Sequence, residues 1–164
     1  MASPIEHYAF LSDTESAALV GRDGSIDWLT FPRIDSPACF AALLGDEDNG
    51  RWIIAPAGDD YRVERQYRPG TLVLETRFRT ADGEVEIVDC MPRRDDGRLD
   101  IVRLVRGIRG RVLMRMHLTV RMDYGSIVPW VRRTDGTLRM VAGPDALTLT
   151  TPIEHEPEGW STVA

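Results

Sequence analysis

A strict period of two runs through residues 112–122. Val112, Met114, Met116, Leu118, Val120 and Met122 are separated by Leu113, Arg115, His117, Thr119 and Arg121. A helix would scatter those apolar side chains around its circumference, whereas a strand collects them on one side. Val112, Met114, Met116, Leu118 and Val120 are therefore expected between two antiparallel sheets, with Arg111, Arg115 and Arg121 on the opposite face. The same alternation sets Leu72, Leu74, Thr76 and Phe78 against Val73, Glu75, Arg77 and Arg79, and resumes after Asp82-Gly83 through residues 84–91. Asp-Gly between alternating runs is a strong hairpin signal. It recurs at Asp23-Gly24, joining 17–20 to 25–31, and at Asp135-Gly136, joining 127–133 to 137–141. Further strands are expected over 52–55, 61–68, 101–106 and 146–151.

One helix is expected near residues 36–44. Ser36 offers a capping hydroxyl, Pro37 suits the first helical position and Gly45 supplies the stop. About ten short strands with tight turns and a single short helix describe an all-β fold, an antiparallel β-sandwich. The 164 residues contain no credible internal linker. They are read as one domain, 1–164, long enough to bury roughly two-thirds of the surface the unfolded chain exposes.

Composition removes several function classes. Twenty basic residues, all of them Arg, against 26 acidic ones give a net charge of -6. A dedicated nucleic-acid binder needs a positive surface instead, so no nucleic-acid partner is expected. Residues 101–122 hold six arginines and no acid besides, a composition suited to a solvated sheet face or to an acidic neighbour. No stretch approaches a membrane span and the N-terminus lacks a signal-peptide pattern. Cys39 and Cys90 fit no metal-ligand spacing, and two unbridged thiols suit a reducing cytoplasm. The expected location is cytoplasmic.

No phosphate loop, nucleophile elbow or zinc-spaced histidine pair occurs; His7, His117 and His155 are scattered, and no metal or cofactor is expected. The run Asp46-Glu47-Asp48-Asn49-Gly50 begins like a calcium loop but lacks its fifth-position ligand and closing Glu, so a solvated turn is expected. Asp27, Asp35, Glu75, Asp89 and Asp123 are the carboxylates from which a glycosidase pair would be drawn, although with 26 acids in the chain hairpin and ion-pair roles are the expected ones. Trp28, Trp52, Trp130 and Trp160 offer flat faces for sugar rings or for a core. Trp28 stands where a strand runs into the polar loop Pro32-Arg33-Ile34-Asp35-Ser36-Pro37, the kind of junction at which sites sit.

That stretch, Arg22-Asp23-Gly24-Ser25-Ile26-Asp27-Trp28 followed by 32–44, resembles the opening of bacterial family-15 glycoside hydrolases, the glucoamylase and trehalase-like proteins. Gly50-Arg51-Trp52, 67–76, Asp89-Cys90-Met91-Pro92, 121–125 and Pro129-Trp130 follow in the family's order. The resemblance implies an N-terminal β-sandwich whose partner is its own C-terminal catalytic barrel, built from helical hairpins. In the family that barrel holds the acid and base of an inverting α-glucoside hydrolysis. No residue here matches either, so no catalytic residue is assigned. The expected role is support of the barrel, with Trp28, Arg33 and Asp35 as candidates for contact with an α-glucoside at the active-site rim. A carbohydrate-binding module and a self-contained small sandwich hydrolase are the alternatives. The first requires two or more exposed tryptophans in a row, the second two inward carboxylates in a cleft. A domain separated from its barrel is also expected to show an exposed apolar patch or unpaired strand edge, which leaves self-association open.

Overall fold

A computed structural model describes residues 3–96, 98–134, 136–154, 156–158 and 161–163. Among these residues fifteen strands run in chain order: β1 (Tyr8–Ser12), β2 (Ala17–Gly21), β3 (Ser25–Thr30), β4 (Ala38–Phe40), β5 (Arg51–Pro56), β6 (Arg62–Tyr67), β7 (Leu74–Arg79), β8 (Gly83–Cys90), β9 (Val102–Gly110), β10 (Met114–Thr119), β11 (Trp130–Thr134), β12 (Thr137–Ala142), β13 (Asp145–Thr150), β14 (Glu156–Glu158) and β15 (Ser161–Val163). Every pairing between them is antiparallel. One large sheet has the order β1-β2-β3-β5-β10-β15-β14, with β4 added to β3. Against it pack a four-stranded sheet, β6-β7-β8-β9, and a three-stranded meander, β11-β12-β13.

All three sheets feed one core. Leu11, Ile26, Met116 and Leu118 come from the large sheet, Leu74, Phe78, Val85 and Ile87 from the four-stranded one, and Leu138, Met140 and Leu149 from the meander. The alternation of residues 112–122 forms β10 as expected. Met116, Leu118 and Val120 are buried, Val112 and Met114 pack against the core from its margin, and Arg111 and Arg115 are exposed. Arg121 departs from the expectation. The strand has ended at Thr119, three consecutive residues are buried beyond it, and the Arg121 guanidinium turns in to donate to the Val120 carbonyl at 2.9 Å. On β7, Leu74, Thr76 and Phe78 point inward while Leu72 lies before the strand and is exposed. The turns at Asp23-Gly24 and Asp82-Gly83 join the strands they were expected to join. β11 and β12 likewise pair, Thr134 opposite Thr137, while Asp135 itself lies outside the described residues.

The helix expected near 36–44 is not formed. Ala38, Cys39, Phe40, Ala41 and Ala42 are all buried, and an apolar run enclosed on every side has no periodicity to separate helix from strand. The free edge of β3 decides: Leu29 pairs with Phe40 and Thr30 with Ala38. The carbonyls of Ala38 and Cys39 then accept from the Tyr124 and Arg121 amides at 3.0 and 3.2 Å. The Ser36 hydroxyl accepts from the Arg33 amide behind it, at 3.1 Å, so it caps nothing ahead. Only a single 3-10 turn, Ala42–Leu44, remains of the helix.

Candidate functional site

Four of the sequence blocks that carry the family resemblance, 22–28, 32–44, 50–52 and 121–125, meet on the large sheet, and a bulge starts the convergence. Leu19 pairs with Trp28 and Val20 with Ile26, so Asp27 is the extra residue on β3. A bulge re-aims the side chain that carries it. Ile26 and Leu29 both stay in the core, and the Asp27 carboxylate meets Arg51 Nε at 2.9 Å and the Tyr8 hydroxyl at 2.9 Å. Arg51 also pairs with Asp23 and, at 3.5 Å, with Glu47. Three carboxylates thus surround one half-buried guanidinium. Burial, then the hydrogen bond that the hydroxyl donates to the Asp27 carboxylate, push the Tyr8 hydroxyl up to about 12.

This cluster borders a cleft of about 240 Å³ lined by Ser3, Asp27, Ala42, Gly45, Asp46, Glu47 and Arg51. Its lip is the 46–50 segment, the 3-10 turn Glu47–Asn49 closed by a reciprocal cap. The Asp46 side chain accepts from the backbone, and the Asn49 side chain from the Asp46 amide. That is a turn, as expected, and not a calcium loop. Gly50, at φ 104°, sits where a Cβ would lie 2.9 Å from the Cys39 carbonyl oxygen. The close approach of 38–40, 46–50 and 121–125 requires glycine there.

Trp28 is half-buried on β3, its ring centroid 6.1 Å from that of the exposed Tyr124. Arg33 and Asp35 bond to each other, Nε to Oδ1 at 2.8 Å and Nη2 to Oδ2 at 3.1 Å, with side chains 71% and 66% exposed. The pair projects from the loop that follows Phe31-Pro32, braced by the Ile34 amide donating to the Glu15 carbonyl at 2.8 Å. The three candidates therefore share a stretch of chain, but Trp28 partners Tyr124 and not the ion pair. The other tryptophans are dispersed. Trp130 is 86% exposed on β11, Trp52 lies in the core margin under Arg103, and Trp160 is outside the described residues.

Each nominated carboxylate already has a partner. Asp27 is held by Arg51, Asp35 by Arg33, and Glu75 by Arg68 at 2.8 Å and Gln66 at 3.1 Å, while Asp123 accepts from Ser126 at 3.0 Å. Hydrogen bonds from Arg33 and from Arg68 hold the Asp35 and Glu75 carboxyls below their ordinary range. Asp89 and Arg103 form a wholly enclosed pair at 2.8 Å, each side chain 1% exposed. Arg103 goes on to donate to the Trp52 carbonyl at 3.0 Å and the Gly24 carbonyl at 2.7 Å, tying β9 and β8 to the large sheet. Sequence reading nominated Asp89 for chemistry and left Arg103 among six surface arginines. The available signal was position: Asp89 follows Val85 and Ile87 on the inward face of β8, and an acid there demands a buried cation. Among the described residues, His7 and His117 included, no group of three His, Cys, Asp or Glu is arranged to hold a metal ion. His155 lies outside the described residues.

Residues 1–156 match the family model described as trehalase-like, N-terminal. The chain belongs to that family. Trehalase 1 of Sulfolobus acidocaldarius is 34% identical over 132 residues, 80% of this chain and 22% of that protein. The trehalases of Mycobacterium tuberculosis and Mycolicibacterium smegmatis are each 33% identical over 139 residues, 74% of this chain and 20% and 21% of theirs. The trehalase-like N-terminal domain thus spans about a fifth of the length of these relatives. No solved structure matches it. The converging blocks are those of the N-terminal domain of trehalase-type glycoside hydrolases.

Proposed function

We propose that this domain is the non-catalytic sandwich of an α-glucoside hydrolase of trehalase or glucoamylase type. In this reading it braces a separate catalytic barrel and lends the 31–37 loop to the rim of that barrel's active site. The observation that carries the reading is the state of the carboxylates. Glycoside hydrolysis with inversion needs one carboxyl that holds its proton at working pH and a second, unencumbered one to activate water. Asp35 and Glu75 are pulled the wrong way by their arginines, and Asp27 and Asp89 are occupied by ion pairs. The Arg33–Asp35 pair supports the rim role, because it presents charged hydrogen-bonding groups to the outside from a braced loop. Two free thiols, Cys39 buried and Cys90 half-buried, are consistent with a cytoplasmic setting.

Two measurements test this. The pure chain, given trehalose, maltose or longer α-glucans in a coupled glucose assay, releases no glucose; a rate abolished by mutating a carboxylate within it would overturn the non-catalytic reading. In the enzyme that contains both domain and barrel, Arg33→Ala and Asp35→Ala raise KM about tenfold, the worth of one charge-assisted hydrogen bond, with Tm unchanged. Unchanged turnover and affinity would leave the loop with a structural role only.

A further inference from the structure

The layer that faces the large sheet is divided, and the division has a definite shape. Its four-stranded part ends at β9 and its meander ends at β13, and among the described residues no strand pairs with the outer edge of either. Between them lies a groove of about 1480 Å³. Consecutive residues of β9 (Val102, Arg103, Leu104, Val105) and all six of β13 line it, which is the signature of two strand edges and not of two faces. Its floor is the apolar face of β10 and β5, including Met114, Met116 and Ile54. Leu104 and Val105, on opposite faces of β9, are 48% and 43% exposed. A long open edge with apolar side chains on both faces is what folded proteins ordinarily cover.

We infer that the groove receives one extended polypeptide strand that pairs with β9 on one side and β13 on the other, joining the two small sheets into one. The size fits. A six-residue strand occupies roughly 950 Å³, from a rise of ~3.3 Å per residue, a strand spacing of ~4.8 Å and a sheet separation of ~10 Å, so one strand is accommodated. Side-chain chemistry follows from the two sides. Inward positions meet Met114, Met116 and Leu147 and must be apolar. Outward positions pass Leu104 inside the groove and then, just beyond the lined stretch of β9, Arg106, which reaches only 3.8 Å from Glu86; an acidic residue belongs at that end. A second copy of this chain fits poorly. Its β9 is already paired with β8, has one free edge and cannot pair on two sides at once. The strand we commit to comes from the part of a trehalase-type polypeptide that this chain does not span. The source rests on the proposed function; the groove and its strand do not.

The probe is a strand of alternating Glu and Val or Ile, joined after Ala164 of the full chain by a flexible Gly/Ser linker, which brings it to roughly millimolar effective concentration. Hydrogen exchange of backbone amides is the readout. Exchange in both β9 and β13 is expected to slow roughly tenfold or more relative to the chain without the probe, with β5 and β10 unchanged, and the Lys-for-Glu probe is expected to protect less. Protection of neither edge, or of one alone, would overturn the inserted strand, and equal protection by the Lys probe would overturn its acidic end. A dimer in sedimentation whose formation protects both edges of the untethered chain would make the second copy the occupant and overturn the assignment. None of these results depends on glucose release, so failure here is separable from failure of the proposed function.

Discussion

Arg103→Met removes the cation from an enclosed site and leaves three acceptors behind. The Asp89 carboxylate, 1% exposed, loses its ion-pair partner, and the Trp52 and Gly24 carbonyls lose donors at 3.0 and 2.7 Å. Breaking a buried ion pair from one side costs about 3–5 kcal/mol, chiefly because the other charge is stranded. Loss of the guanidinium stacked 5.1 Å above Trp52 adds to this in the same direction. Against a total stability of about 5–15 kcal/mol, a loss near 4 kcal/mol is severe. It corresponds to about 8–16 °C in Tm for a domain of this size. Urea unfolding followed by tryptophan fluorescence reads it directly, since Trp52 sits at the site. The double variant Arg103→Met/Asp89→Leu removes the stranded charge and is expected to recover at least about 2 kcal/mol, short of full recovery because the two carbonyls stay unpaired. A single variant that loses under about 1 kcal/mol, or a double variant no better than the single, would refute the claim that this pair rivets the layers.

Three other outcomes are expected. Gly24, at φ 84°, would place a Cβ 2.2 Å from the Ile54 carbonyl oxygen, so Gly24→Ala should lower stability by about 2–4 kcal/mol in the same urea assay. The Tyr8 hydroxyl is raised above its unfolded value of about 10, so its stabilisation is complete below that pH and is lost as pH rises towards about 12. Tyr8→Phe should flatten this alkaline fall in stability, and an identical fall in both proteins would exclude the Asp27 contact as its source. Burial pushes the Cys39 thiol up to about 12, while Cys90 is half-exposed. A thiol reagent at neutral pH should therefore label Cys90 first and Cys39 only on unfolding, as peptide mapping by mass spectrometry would show.

What could be read from the sequence depended on whether a segment's fate was local. β10 and β7 are half-buried, so their alternation named the inward residues, Met116 and Leu118 or Thr76 and Phe78, without any knowledge of what covers them. Residues 38–42 are buried on all sides, and their conformation was set by the vacant edge of β3 some ten residues away, a partner that no local pattern reveals. Arg121 escaped for a related reason. It follows the last residue of its strand, where alternation no longer governs direction. At the candidate site, Trp28, Arg33 and Asp35 were legible as a strand-to-loop junction, while the Asp23, Asp27, Glu47 and Arg51 cluster was not. It is assembled from three separate blocks and depends on one extra residue in β3.

That extra residue bears on how the length of this chain can change through descent. Removing Asp27 would bring Trp28 next to Ile26, and the partners they already have, Leu19 and Val20, are themselves adjacent. The shortened ladder would run without interruption and Ile26 and Leu29 would keep their places in the core. A deletion in the middle of a central strand ordinarily turns every following side chain to the wrong face. Here it would cost the Arg51 and Tyr8 contacts alone. Homologues that differ by one residue at this point can therefore share the fold, and an alignment gap within β3 would mark the loss of the charged cluster and not a change of architecture.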